Sequence, residues 1–278
     1  MLYLLLAILC SALLSVVMRL SKEKVAGNVS MLAMNYVMCF VIAGLYAGVG
    51  DLFPAREGLA SALGMGVING VFYLASFLLL QKNIHCNGVV LSTIFMKLSL
   101  LVPMVVSILC FGEMPAPLQI VGFLIAVAAI VLINFGTDSS AAGFKIGLIF
   151  LLLVGGGGDT MAKIYEELGS QSLSGHFLFY TFGVALILCI CLAIYKKERP
   201  GKWELLYGLL LGIPNYFSAR FLLRALENVT AVIVFPTFSV GTILVVTLTG
   251  VFLFKERLGK RQWIAVAAIL AALILLNI

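Results

Sequence analysis

Charge is what this chain has least of. Asp, Glu, Lys and Arg make up 11% of its 278 residues, whereas 63% are hydrophobic and the mean hydropathy is +1.16. A soluble domain carries roughly 25% charged residues to wet its surface. That shortage excludes water as the solvent for most of the molecule and leaves lipid. Histidine is nearly missing as well: His85 and His176 stand alone at helix ends, with no second ligand at metal spacing. The six cysteines form neither a disulfide framework nor a CxxC pattern; Cys10, Cys39, Cys110, Cys189 and Cys191 lie in apolar runs and Cys86 in a loop. Also lacking are a nucleophile–base pair, a nucleotide fingerprint and any segment long enough for a soluble domain. The expectation is therefore no enzyme, no ATP-driven pump and no cofactor.

What the chain has instead is long apolar runs. A bilayer core about 30 Å thick takes roughly 20 residues of helix. Measured against that length, spans fall near 2–19, 31–49, 59–80, 87–110, 117–135, 145–162, 175–195, 203–226, 229–254 and 261–277. Short breaks rich in charge, Gly or Pro separate them, among them SKEKVAGN, KNIHCN, GEMPAP and KKERPGK. Residues 2–18 have the length of a signal-peptide core, but no basic segment precedes them and Arg19 follows directly, so they read as the first span.

The net charge of +6 sits in clusters between spans, as at Lys196/Lys197/Arg199/Lys202, without interleaved aromatics, which argues against nucleic acid. The loops after spans 1, 3, 5, 7 and 9 hold thirteen Lys and Arg residues, including Arg19, Lys22, Lys24, Lys82, Lys145, Lys255, Arg257, Lys260 and Arg261. The opposite side holds Arg56, Lys163 and Arg224. Cytoplasmic loops carry the excess of basic residues. On that rule both termini lie outside the cell membrane.

An internal repeat organises the spans. SILCFGEMPAPLQIVGFLIAVAAIVLIN (Ser107–Asn134) returns as GVFLFKERLGKRQWIAVAAILAALILLN (Gly250–Asn277), matching Phe111 with Phe254, Glu113 with Glu256, Gln119 with Gln262 and Asn134 with Asn277. Gly66-Val-Ile-Asn69 likewise resembles Gly212-Ile-Pro-Asn215. The fold expected is an all-α membrane protein of ten transmembrane helices in an inverted five-plus-five repeat, divided into residues 1–137 and 138–278. Five is odd, so the second copy starts from the other side of the bilayer, an arrangement typical of transporters with a site near the midplane. The two segments Phe111-Gly-Glu113…Gln119-Ile-Val-Gly122 and Phe254-Lys-Glu256…Gln262-Trp-Ile-Ala265 resemble those of the drug/metabolite transporter superfamily, in its EamA-like branch. That resemblance implies small-molecule transport, often export. It also implies cytoplasmic termini, against the charge count.

Polar residues deep in the spans are the candidate site. Lys97 lies about ten residues into span 4, where an unpaired Lys costs about 2.5–3.5 kcal/mol, so it is expected to face a polar cavity and attract a carboxylate or phosphate. Asn69 and Asn215 read as a symmetric pair lining a central site or joining helices. Pro214 is expected to kink span 8. Arg220 is a second, weaker anion contact. Tyr36, Tyr73, Tyr180 and Tyr216 could stack on a ligand. Asp159, on the same helix face as Lys163, is a coupling or gating carboxylate; snorkelling ends account for Lys163, Arg224 and Glu227. Gly155–Gly158 lacks the Lys-Ser/Thr of a phosphate loop and reads as close helix packing or a flexible break. The function expected is secondary active transport of a small polar or amphipathic metabolite by alternating access. The alternative is an intramembrane flippase for a lipid or lipid-linked sugar. The partners are a small-molecule substrate and the lipid bilayer, with no nucleic acid, and the protein works as a monomer or homodimer.

Overall fold

The computed structural model describes residues 1–21, 23–48, 50–87, 89–134, 145–254 and 260–276. Lys22, Lys255, Glu256, Arg257, Asn277 and the division at 137/138 lie outside them, as do the side chains of His85, Asn134, Lys145, Phe254, Arg261 and Gln262. The described residues form eleven α-helices: α1 (Leu2–Ser21), α2 (Asn28–Ala47), α3 (Leu59–Asn87), α4 (Val89–Leu98), α5 (Leu101–Phe111), α6 (Pro117–Asn134), α7 (Lys145–Leu168), α8 (Ser174–Tyr195), α9 (Lys202–Leu226), α10 (Ala231–Phe254) and α11 (Lys260–Leu276). Six of them, α1, α2, α3, α7, α8 and α10, are long and apolar enough to cross a bilayer, with shorter apolar stretches at Phe95–Phe111, Pro117–Ala129 and Val266–Leu276. With α4 and α5 counted as one broken crossing, and with α9, which carries more charge but packs along α1 and α2, the chain has ten transmembrane helices.

Two differences from the sequence reading bear on the centre of the molecule. Lys82–Asn87 is not a loop but the end of α3. Asn83 fixes this turn by donating to the carbonyls of Leu79, on its own helix, and Gly147, on α7. The fourth span is not continuous: it breaks at Ser99–Leu100. The cause is Pro103, which has no N–H to give to the carbonyl of Ser99; Val102 bonds to that carbonyl instead, at 3.0 Å, in a tighter turn. Pro214, by contrast, sits inside α9 without interrupting it.

The packing repeats itself under exchange of halves. Helix α2 packs on α9 as α8 does on α3, and α1 packs on α9 as α7 does on α3. Helix α1 meets α10 as α7 meets α4 and α5, while the α2–α8 and α6–α11 contacts join equivalent helices across the pseudo-twofold axis. This is an inverted repeat with an interface running through the middle of the molecule. Glycines set how close the central helices come. A Cβ on Gly212 would lie 2.4 Å from Met38 Cβ, and one on Gly70 would lie 2.6 Å from the Thr181 carbonyl oxygen. Lipid tails are as apolar as the helices, so close van der Waals contact through small residues does the work that hydrophobicity does in water.

Those contacts also fix the register of the repeat. Gly208 and Gly212 meet Met31, Met34, Asn35 and Met38; Gly66 and Gly70 meet Phe177, Tyr180, Thr181 and Val184. Helices α2 and α8 therefore correspond at a spacing of 146 residues, but α3 and α9 at 142. This corrects the pairing of Asn69 with Asn215, which used 146. The structural equivalent of Asn215 is Tyr73, and that of Asn69 is Leu211, one helical turn away.

Candidate functional site

At the centre of the interface lies a cavity of about 590 Å³, walled by α1, α2, α3, α4, α7, α9 and α10. Its size is in the ordinary range for small-molecule sites. Most of the wall is apolar and aromatic, with Phe72, Phe77, Phe238, Met31 and Met96 among its residues. The polar side chains include Asn35, Gln81, Lys97, Asp159 and Asn215, with a few serines, Asn28 and the phenols of Tyr36 and Tyr73.

Lys97 occupies the last turn of α4, just before the break at Ser99–Leu100. The break places a helix C-terminus, the negative end of its dipole, inside the membrane, a position that favours a cation. Asp159 reaches the same cavity from α7 because of the glycines before it. A Cβ on Gly156 would lie 2.3 Å from the Ser99 carbonyl oxygen, and one on Gly157 would lie 2.5 Å from the Phe72 ring. The glycine run thus lets α7 lie directly on the break and on α3, and α7 stays helical throughout. Lys97 and Asp159 interact electrostatically across the space between them. Among the described residues, however, neither makes a hydrogen bond or an ion pair within 4.0 Å.

Asn215 donates to Asn35 Oδ1 at 3.2 Å, joining α9 to α2 at the cavity wall. Asn35 was not among the expected site residues; its mid-span amide was the available signal. Asn69 lies elsewhere. It is 2% exposed, between α3 and α8, and donates to Thr181 Oγ1 at 3.3 Å, while its own Oδ1 lacks a partner among the described residues. Arg220, Tyr216 and Tyr180 do not line the cavity. The Arg220 guanidinium lies over the Tyr46 ring, 3.9 Å from its centroid, and donates to the Tyr216 hydroxyl at 3.0 Å. Tyr180 donates to the Leu52 carbonyl in the loop after α2.

The two ends of the cavity differ. A second hollow of about 340 Å³ shares Asn28, Gln81 and Ile84 with it and continues to Lys196 and Glu198, on the face that carries the basic loops. On this face Glu204 takes the N–H groups of Ala26 and Gly27, and Glu198 those of Val29 and Ser30, capping α2. Toward the opposite face, polar bonds among the described residues tie helix ends and loops together. His176 is bonded to the Asp51 carbonyl at 2.8 Å, and Tyr165 donates to Ser170. Lys163, 2% exposed, bridges to Glu113, Glu166 and Glu167 at 2.7, 2.8 and 2.5 Å. It is a buried cross-link rather than a snorkelling end.

A bundle of ten crossings in inverted halves, with a central cavity open toward one face, is the architecture of a membrane transporter. The EamA-like transporter family matches residues 1–135 and again residues 144–278. The chain belongs to the EamA-like transporter family, within the drug/metabolite transporter type. It is 25% identical over 281 residues to an uncharacterized protein of Haemophilus influenzae, covering 96% of this chain and 94% of that one. It is also 34% identical over 104 residues to a probable 4-amino-4-deoxy-L-arabinose-phosphoundecaprenol flippase subunit, ArnE, of Proteus mirabilis, covering 34% of this chain and 90% of that one. A solved crystal structure of a protein with 17% sequence identity shares the fold, with a TM-score of 0.74 over 99% of this chain and 94% of its own.

Proposed function

We propose that this chain is a secondary active transporter that carries a small polar or amphipathic metabolite across the cell membrane by alternating access. The observation that carries this reading is the asymmetry of the central cavity. It joins a vestibule on the basic face, whereas toward the other face stand the Lys163 ion-pair cluster and the packing around Asp51 and Tyr180. With the basic loops in the cytoplasm and both termini outside, this conformation faces inward. Rocking of the two halves about their interface opens the Lys163 side and closes the other. Lys97 supplies a charge for a carboxylate or phosphate, Asn35 and Asn215 supply amides, and Tyr36 and Tyr73 a surface for an apolar body. Coupling rests on gradients or exchange, with Asp159 the ionisable group placed to take part.

A second reading has specific support: the local similarity to a probable flippase subunit and the largely apolar cavity wall favour an amphipathic lipid-linked substrate. Reconstitution into liposomes separates the two. Uptake of labelled soluble metabolites by the protein, with no acceleration of fluorescent lipid exchange between leaflets, supports solute transport. Lipid exchange without solute uptake transfers the proposal to the flippase reading. If neither activity appears, transport is the wrong reading.

A further inference from the structure

Lys97 by itself suggests an anion, but Asp159 shares its cavity. A purely anionic ligand would satisfy Lys97 and bring a second negative charge beside Asp159 in a poorly solvated space, where like charges repel strongly. A purely cationic ligand has the mirror-image difficulty with Lys97. The cavity wall as a whole is neutral and dipolar.

The same chain shows what a satisfied membrane lysine looks like. Lys163 holds three carboxylates within 2.8 Å. Had Asp159 served only to neutralise Lys97, the two would be expected to close on each other in the same way. Instead they stand on separate helices, α4 and α7, both lining the cavity and, among the described residues, neither in a hydrogen bond nor in an ion pair within 4.0 Å. The backbone on each side is specialised to keep them there, with the break at Ser99–Leu100 beside Lys97 and the glycine run beside Asp159.

Resting on the transport reading above, we infer that the substrate is zwitterionic, its anionic group meeting Lys97 and its cationic group meeting Asp159. Such a molecule cancels both wall charges at once, and the bound complex crosses the reorientation step without a net buried charge. Tyr36, Tyr73 and Phe72 border the remaining space, so the body of the ligand is apolar or aromatic-compatible. The anionic end is a carboxylate or a phosphate.

The test compares matched ligands on the purified full chain by thermal shift and by uptake into proteoliposomes. The panel is a set of α-amino acids, the amines formed by their decarboxylation, the matching 2-oxo acids, and phosphoethanolamine for the phosphate case. At least one zwitterion is expected to bind at least tenfold more tightly than both of its single-charge analogues. Asp159→Asn is expected to shift the preference at least tenfold toward the 2-oxo acid, and Lys97→Met toward the amine. Because each preference is a ratio measured within one variant, partial misfolding does not mimic it. A 2-oxo acid that binds the unmodified protein as well as its amino acid overturns the zwitterion but leaves solute transport standing, as does an unchanged ratio in Asp159→Asn. Failure of every compound to bind or be taken up overturns both.

Discussion

The ammonium of Lys163 lies 2.7 Å from one carboxylate oxygen of Glu113, and the other oxygen of that carboxylate accepts the N–H groups of Ala231 and Val232 at 2.7 and 3.4 Å. One acidic side chain thereby ties α7 to the end of α5 and to the first turn of α10. It cancels a buried cation and caps helix donors that the bilayer leaves without water. The join crosses between the two halves, on the face opposite the vestibule.

If this join holds the far face shut, weakening it should open that face. Glu113→Gln keeps the shape and an acceptor for α10 but removes the charge. In a cysteine-free background, a cysteine at Ser76, on the cavity wall, should become reactive to an impermeant maleimide added from the side of Pro54. Labelling as slow as in the parent would show that closure does not depend on this pair.

The glycine crossings should be the least forgiving positions in the membrane. Gly212→Val and Gly70→Val both put atoms where Met38 or the Thr181 carbonyl already sits, and overpacking of this kind costs about 1–3 kcal/mol. Gly64→Ala meets open space within 4 Å and should leave the melting temperature nearly unchanged. Equal melting temperatures for all three proteins would remove the glycines from the account of how the halves join.

The two asparagines should now behave differently. Asn215→Leu, at the cavity wall, is expected to weaken ligand binding with little change in stability. Asn69→Leu is expected to leave affinity intact and to lower stability by about 0.6 kcal/mol or less, since only its amide nitrogen is engaged. Thermal melts and binding isotherms on each variant check this, and a loss of affinity in Asn69→Leu alone would contradict it.

Lys97→Met keeps length and apolar volume but loses the charge. Insertion should survive, while uptake of the preferred substrate falls at least tenfold, about 1.4 kcal/mol. Uptake at the parental level would make Lys97 a structural residue.

Orientation is open to direct labelling. A single cysteine at Lys196 should react only from the cytoplasm, and one at Pro54 only from outside. The reverse pattern would place the termini inside and the vestibule on the outer surface.

The amino-acid sequence was enough to fix the solvent, the ten crossings and the duplication, because each is written along one dimension. Apolar runs of bilayer length are local, and Phe111-Gly-Glu113 and Phe254-Lys-Glu256 announce the repeat by spacing alone. Lys97 was legible as a cavity-facing residue for the same reason, since charge inside a span is costly wherever it faces. Direction around a helix is another matter. Asn69 and Asn215 looked equivalent at a constant spacing, yet Gly66, Gly70, Gly208 and Gly212 set a register four residues away from it. A one-turn slip leaves the hydrophobic pattern intact but changes which amide meets the cavity, so tertiary contact decided it. Contact likewise decided that Lys163 is cross-linked to Glu113 from a distant loop, and that Lys97 and Asp159 share one cavity. Partners on separate helices meet only when backbones approach, and that approach is governed by small residues and by Pro103, whose effects appear only once the helices are packed.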